Sequence, residues 1–392
     1  MKQVMHQSHA RRAATMAGVA LLVIQGATPA VATPREQARR LHDRLAGVPP
    51  SDTVLTQMAS DIAAQNPTAA AQLAMANKNF YNVTLKNFVS PWTNRDRTVF
   101  VPLNDYTATV IGMVRDDVDF STLLSADLLY VGNTAGAPAY SASNNNHYQY
   151  LDDNNVDLKM ALQPATQSGL LGLPVAATAG IMTTHAAAQA FFINGTNRAM
   201  FRFTMMNHMC RDLEQLQDSS LPPDRIRQDV SRSPGGDSRI FLNNCITCHD
   251  GMDTLAQAFA YYNFDTTSNQ LVYTAGVVQP KYLINSDNFK YGYVTTDDRW
   301  DNNYRKGANQ VLGFDPALTG SGTGAKSMGQ ELAHSDGFAQ CQVEKVFRAV
   351  CLRDPGNDAD RQKVSDIKTT FKASGYKMKQ VFADAAIYCM GN

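Results

Sequence analysis

Five consecutive residues, Cys245-Ile246-Thr247-Cys248-His249, constrain this chain more than any others. Two residues between the cysteines put both thiols on one side of a short helical turn, and the adjacent imidazole follows on that side. C-x-x-C-H is the sequence to which a haem is joined covalently: the thiols form thioether links and the histidine is the proximal iron ligand. The same residues also suit a disulfide, half of a zinc site or a thioredoxin-like pair. Zinc needs a second ligand pair at matching spacing, and none occurs. A thioredoxin-like pair needs a βαβ setting, and the flanks here read as helix. The expectation is one covalent haem c, held by Cys245 and Cys248, with His249 on the iron.

The N-terminus agrees with that chemistry. Lys2, Arg11 and Arg12 precede an apolar run from Ala13 to Ile24, and Ala30-Val31-Ala32 is a small-x-small cleavage site. This is the pattern of a secretory signal peptide over 1–32, cut after Ala32. The apolar run is short for a membrane span. In bacteria, covalent attachment to C-x-x-C-H follows export, so leader and motif point to one compartment, the periplasm or the cell surface. Removing three leader bases from a chain with 35 basic and 35 acidic residues leaves a net charge of −3. No basic stretch suggests nucleic acid, and no second apolar segment reaches spanning length.

Cysteine usage adds a geometric constraint. Four of the six cysteines, Cys210, Cys341, Cys351 and Cys389, lie outside the motif. An oxidising compartment permits them to form two disulfides. Val343, Val346, Phe347 and Val350 repeat at helical spacing between Cys341 and Cys351. Ten residues of unbroken helix span about 15 Å, whereas a disulfide needs α-carbons within about 7 Å. Cys341 and Cys351 are therefore expected to bond to Cys210 and Cys389 rather than to each other, in an order the sequence leaves open.

The pattern of apolar residues and breakers predicts a mainly α protein with long irregular loops. Its parts are a multi-helical N-terminal region (33–165), a helical c-type haem domain (166–280), and a Tyr-rich loop with a C-terminal helical domain (281–392). Helices are expected over 35–45, from a cap at Ser51 or Asp52, over 67–88, and twice within 103–130 with a cap at Asp119 or Ser121. Residues 132–155 and 266–309 read as loops, with one hairpin at 271–278 and a flexible connector at 320–324. Two C-terminal helices are expected, at 329–352 and 358–389. The run Gly320 to Ser327 misses the phosphate-loop spacing, because Ala325 separates the glycine from Lys326. No G-x-S-x-G hydrolase signature occurs.

The second axial ligand has several candidates: His208, His185 and Met328, with His334 and Met252 behind them. Met252 falls three residues after His249 and stays on the proximal side. A methionine ligand raises the potential, a second histidine lowers it, and an open position admits small ligands.

Several stretches resemble the planctomycete-type cytochrome c family of exported single-haem proteins. Leu45 to Ser51 followed by Asn79-Phe80-Tyr81, Leu103 to Tyr106, and Leu123 to Tyr130 are similar to its N-terminal helical regions. Gly180 to Thr184, the run Cys245-x-x-Cys248-His249-x-x-Met252-Asp253, and Asn263-Phe264-Asp265 resemble its haem domain; Thr254 stands where that family usually has proline. Phe338-Ala339-x-Cys341-x-Val343 and Gly375-Tyr376-x-Met378 resemble its C-terminal helices. The resemblance implies a mainly helical, haem-bearing exported protein and carries no known reaction. Three roles follow as expectations. The first is electron transfer to a redox partner protein or a neighbouring haem subunit. The second is a haem enzyme with an open distal site, and the third a haem-bearing cell-surface assembly or homo-oligomer. The sequence shows no distal acid–base pair, which favours electron transfer.

Overall fold

A computed structural model describes residues 32–391. The leader expected over 1–32 lies outside the described residues, apart from Ala32. The described chain is mainly helical, with three short antiparallel two-stranded sheets. No described helix is long and apolar enough to cross a membrane.

The N-terminal helices begin where side chains can satisfy free amides. Thr33 and Glu36 form a reciprocal capping box on Pro34–Ala46, and Ser51 caps Asp52–Ala63. Pro67–Met75 completes this bundle. The long helix expected to continue to Phe88 is divided, with a π-helical segment at Phe80–Leu85 and a single turn at Lys86–Val89. Asp105–Arg115 is buried from Asp105 to Val114. A helix buried on every face belongs at the centre of a fold, and elements from both halves of the chain pack around this one.

The second helix expected before Tyr130 does not form. Asp119 caps only a 3₁₀ turn, Phe120–Thr122. The carbonyls of Leu123 and Ala126 accept from the amides of Ile181 and Gly180 instead of continuing a helix. Leu129–Gly132 then pairs as a strand with Leu162–Ala165. Within the expected 132–155 loop, Asn146–Asp153 is helical, and His147, Tyr148 and Leu151 fall on its buried face. The hairpin lies earlier than expected, pairing Tyr262–Asp265 with Gln270–Tyr273. The Asp265 carboxylate accepts from the amides of Thr267 and Ser268, and this fixes the tight turn. In the expected 320–324 connector, Ser321–Thr323 pairs with Arg299–Asp301.

The C-terminal region holds four helices rather than two: Gly324–Ala333, Asp336–Cys351, Asp358–Ala373 and Met378–Cys389. Ser335 caps the second through its hydroxyl, and left-handed Gly375 and Tyr376 end the third. One hydrophobic core runs from Ala38 to Ala386 and takes residues from all three expected regions.

Both disulfides expected from cysteine reach are present. Cys210 bonds to Cys341 and Cys351 to Cys389, with α-carbons 5.3 and 5.4 Å apart. Asp336–Cys351 is unbroken, so its two cysteines are held too far apart to pair and bond to different elements.

Candidate functional site

The motif lies where a π-helical turn, Phe241–Cys245, passes into the α-helix Ile246–Ala256. Positions i, i+3 and i+4 of a helix share one face. Cys245, Cys248 and His249 occupy those positions and are all partly exposed. Beneath them Ile226, Val230 and Phe241 form a small cluster against which Cys245 and Ile246 pack.

The other side of this helix is held tightly. A β-carbon on Gly251 would come within 2.2 Å of the buried Tyr304 ring, so only glycine lets the helix settle there. The Asn303 side chain donates to the Asp250 carbonyl at 2.9 Å. Burial pushes the Asp250 carboxyl up to about 7, and one of its oxygens has no partner. Burial also pushes the Cys248 thiol up, which keeps it as S–H; its sulfur lies 3.7 Å from the Leu213 carbonyl.

His249 is oriented by Asp253, one turn along the helix. The distance from Nδ1 to the Asp253 Oδ2 is 3.2 Å. Although burial pushes the Asp253 carboxyl up, the Arg198 and Arg227 guanidiniums hold it well below the usual carboxylate range. A carboxylate only accepts, so Nδ1 carries the proton, which leaves Nε2 as the nitrogen able to bind a metal. Arg198 grips Asp253 through two bonds of 2.6 and 2.8 Å and Asp229 through two of 2.5 and 2.9 Å. Arg227 is buried beside both carboxylates, at 3.8 Å from each, and donates to the Thr196 hydroxyl at 2.8 Å. The two guanidiniums and two carboxylates sum to zero charge. Taking one member from such a buried set typically costs about 3–5 kcal/mol, because its partner is left uncompensated.

These residues fit covalent haem. All six cysteines lie in the described chain; four are consumed in disulfides, and Cys245 and Cys248 are the two free thiols. Ile240 and Leu242, on the preceding turn, are exposed apolar side chains that a macrocycle could cover. Among the described residues no group of three or more His, Cys, Asp or Glu side chains converges as a cage for a metal ion. Cys245, Cys248 and His249 are instead spread along one helix face.

The distal candidates are engaged elsewhere. His208 is buried, with Nε2 2.9 Å from the Tyr106 hydroxyl and its ring edge-on to Trp92. His185 Nε2 lies 3.0 Å from the Asn269 carbonyl. Met328 and Met252 are core side chains, and His334 Nδ1 lies 2.8 Å from the Gln330 carbonyl. None of the three histidines hydrogen-bonds to Cys245, Cys248 or His249. The sequence reading placed Asp253 only within a family-like run. Its i+4 spacing from His249 was a legible signal, whereas Arg198, Arg227 and Asp229 gave none.

A second concavity also went unread. A cleft of about 660 Å³ is floored by Trp92, with the Lys345 ammonium 3.1 Å above the ring centroid. Glu214 and Gln215 on its rim belong to the segment whose Leu213 carbonyl meets Cys248.

Comparison of the chain with family models, curated proteins and solved structures finds no match.

Proposed function

We propose that this chain is an exported c-type cytochrome of the planctomycete-type family, carrying one covalent haem and transferring electrons in the periplasm or at the cell surface. One observation carries the reading. The disulfides use every cysteine outside C-x-x-C-H, leaving two thiols free on one helix face beside a histidine whose Nε2 is available. In this reading Cys245 and Cys248 hold the macrocycle and His249 Nε2 binds its iron. The haem supplies one-electron exchange when bound. The part-exposed setting of the motif would leave an edge open to a redox partner protein or a neighbouring haem subunit. Export is supported by the leader pattern and by two disulfides, which suit an oxidising compartment.

The test is intact mass with a denaturing-gel haem stain, on protein matured by a cytochrome c assembly system. A mass increase of one haem, abolished in the Cys245→Ala/Cys248→Ala double variant, is the expected result. An unmodified mass in the parent chain would refute the reading. Electron transfer further requires a low-spin ferric spectrum and slow or absent carbon monoxide binding. Rapid stoichiometric binding, with sustained peroxide turnover far above free haem, would identify a haem enzyme instead.

A further inference from the structure

We infer that Asp253, clamped by Arg198, is the positioning residue that sets the donor strength of His249 and so the reduction potential of the site. The inference rests on the haem reading above. It begins from the acceptor at Nδ1. A carboxylate accepting from one imidazole nitrogen fixes the tautomer and ring orientation, and it raises the basicity of the other nitrogen toward a metal. Asp253 is fully buried and His249 is partly exposed, so the carboxylate end of this bond is shielded from water.

The carboxylate is itself immobilised. Arg198 bonds both oxygens of Asp253 in a two-pronged grip and does the same to Asp229, so neither acid can rotate without breaking two bonds. The backbone amide of Arg227 lies 3.4 Å from Oδ2, the same oxygen that faces His249. The guanidinium of Arg227 stacks over the Tyr282 ring at 4.9 Å. Asp253 therefore supplies a negative charge next to the ligand, and the two guanidiniums draw part of that charge away. With a net charge of zero in the quartet, loss of any one member leaves a full uncompensated charge close to the iron ligand. The sign of that charge depends on which member is lost.

That sign is what the test reads. A purely structural clamp would shift the potential in one direction, or not at all, whichever side is broken. Reduction potentials are to be measured by spectroelectrochemistry on holoprotein of the parent chain, Asp253→Asn, Asp253→Glu, Arg198→Gln and Asp229→Asn. Haem content is measured separately by intact mass. Asp253→Asn is expected to raise the reduced-to-oxidised ratio at a fixed solution potential by at least tenfold, about 59 mV for one electron. Arg198→Gln should lower it, and Asp253→Glu should stay near the parent. Asp229→Asn leaves His249 and Asp253 in place and should raise the ratio by a smaller factor, so the charge effect is readable even if the Asp253 variants do not fold. Unchanged or same-direction potentials across the folded Asp and Arg variants would overturn the inference while leaving the haem reading intact. A parent chain without haem would overturn that reading first.

Discussion

His208 shows what burial does to a single ionisable side chain. Burial, with Lys345 nearby, holds its imidazole well below the ordinary value near 6.5. Its ring meets Tyr106 and Trp92, and Nδ1 has no partner. Above about pH 6.5 the folded and unfolded chains both keep this histidine neutral, and it adds no pH dependence. Below that, the unfolded chain takes up a proton that the folded chain refuses, so stability falls as pH drops. The slope approaches about 1.4 kcal/mol per pH unit. Urea unfolding between about pH 6.5 and 5 should show this loss in the parent chain, and a weaker loss in His208→Gln. Equal slopes in the two proteins would show that His208 does take up a proton in the fold. In the sequence His208 was one of several distal-ligand candidates, because a histidine among apolar residues needs a polar partner or a metal. Its partner is Tyr106, more than a hundred residues away, which no local pattern could reveal.

At the scale of elements, the helix Asp336–Cys351 is the best-determined piece of the fold. Its apolar spacing announced it, its length forbade an internal disulfide, and each of its cysteines is tied to a different element. Cys351–Cys389 closes a segment of 38 residues that contains the whole Asp358–Ala373 helix. Replacing both cysteines with serine should cost about 2–4 kcal/mol in urea unfolding, with the fold retained at low denaturant. A loss within experimental error would mean that core packing alone holds the last helix. Elements that depended on distant backbone were misread. The residues before Tyr130 have a helical pattern, yet their carbonyls are taken by Gly180 and Ile181. Local propensity is a weak prior against a tertiary hydrogen bond.

Over the whole molecule, the two ends of the described chain close on each other. Gln37 donates to the Gly391 carbonyl, Arg44 to the Val350 carbonyl, and the Phe80 and Phe382 rings meet edge to face. Met378–Cys389 packs against both Pro34–Ala46 and Pro67–Met75. Deleting residues 378–392 should therefore expose the N-terminal bundle as well as the C-terminal one. Hydrogen exchange is expected to show lost protection across 34–75 in the truncated chain. Full protection there would mean that the first three helices form an independent unit.

Local structure was legible without a fold: the helix cap at Ser51, the helical class, and the reach that excludes a Cys341–Cys351 bond. Each depends on residues a few positions apart, where helix geometry and covalent distance act directly. Which cysteine meets which, and which groups fix His249, depended on the tertiary structure. Arg198 and Asp253 are 55 residues apart. They meet because buried charges must be paired once the chain has packed, a requirement that does not exist in the unfolded sequence.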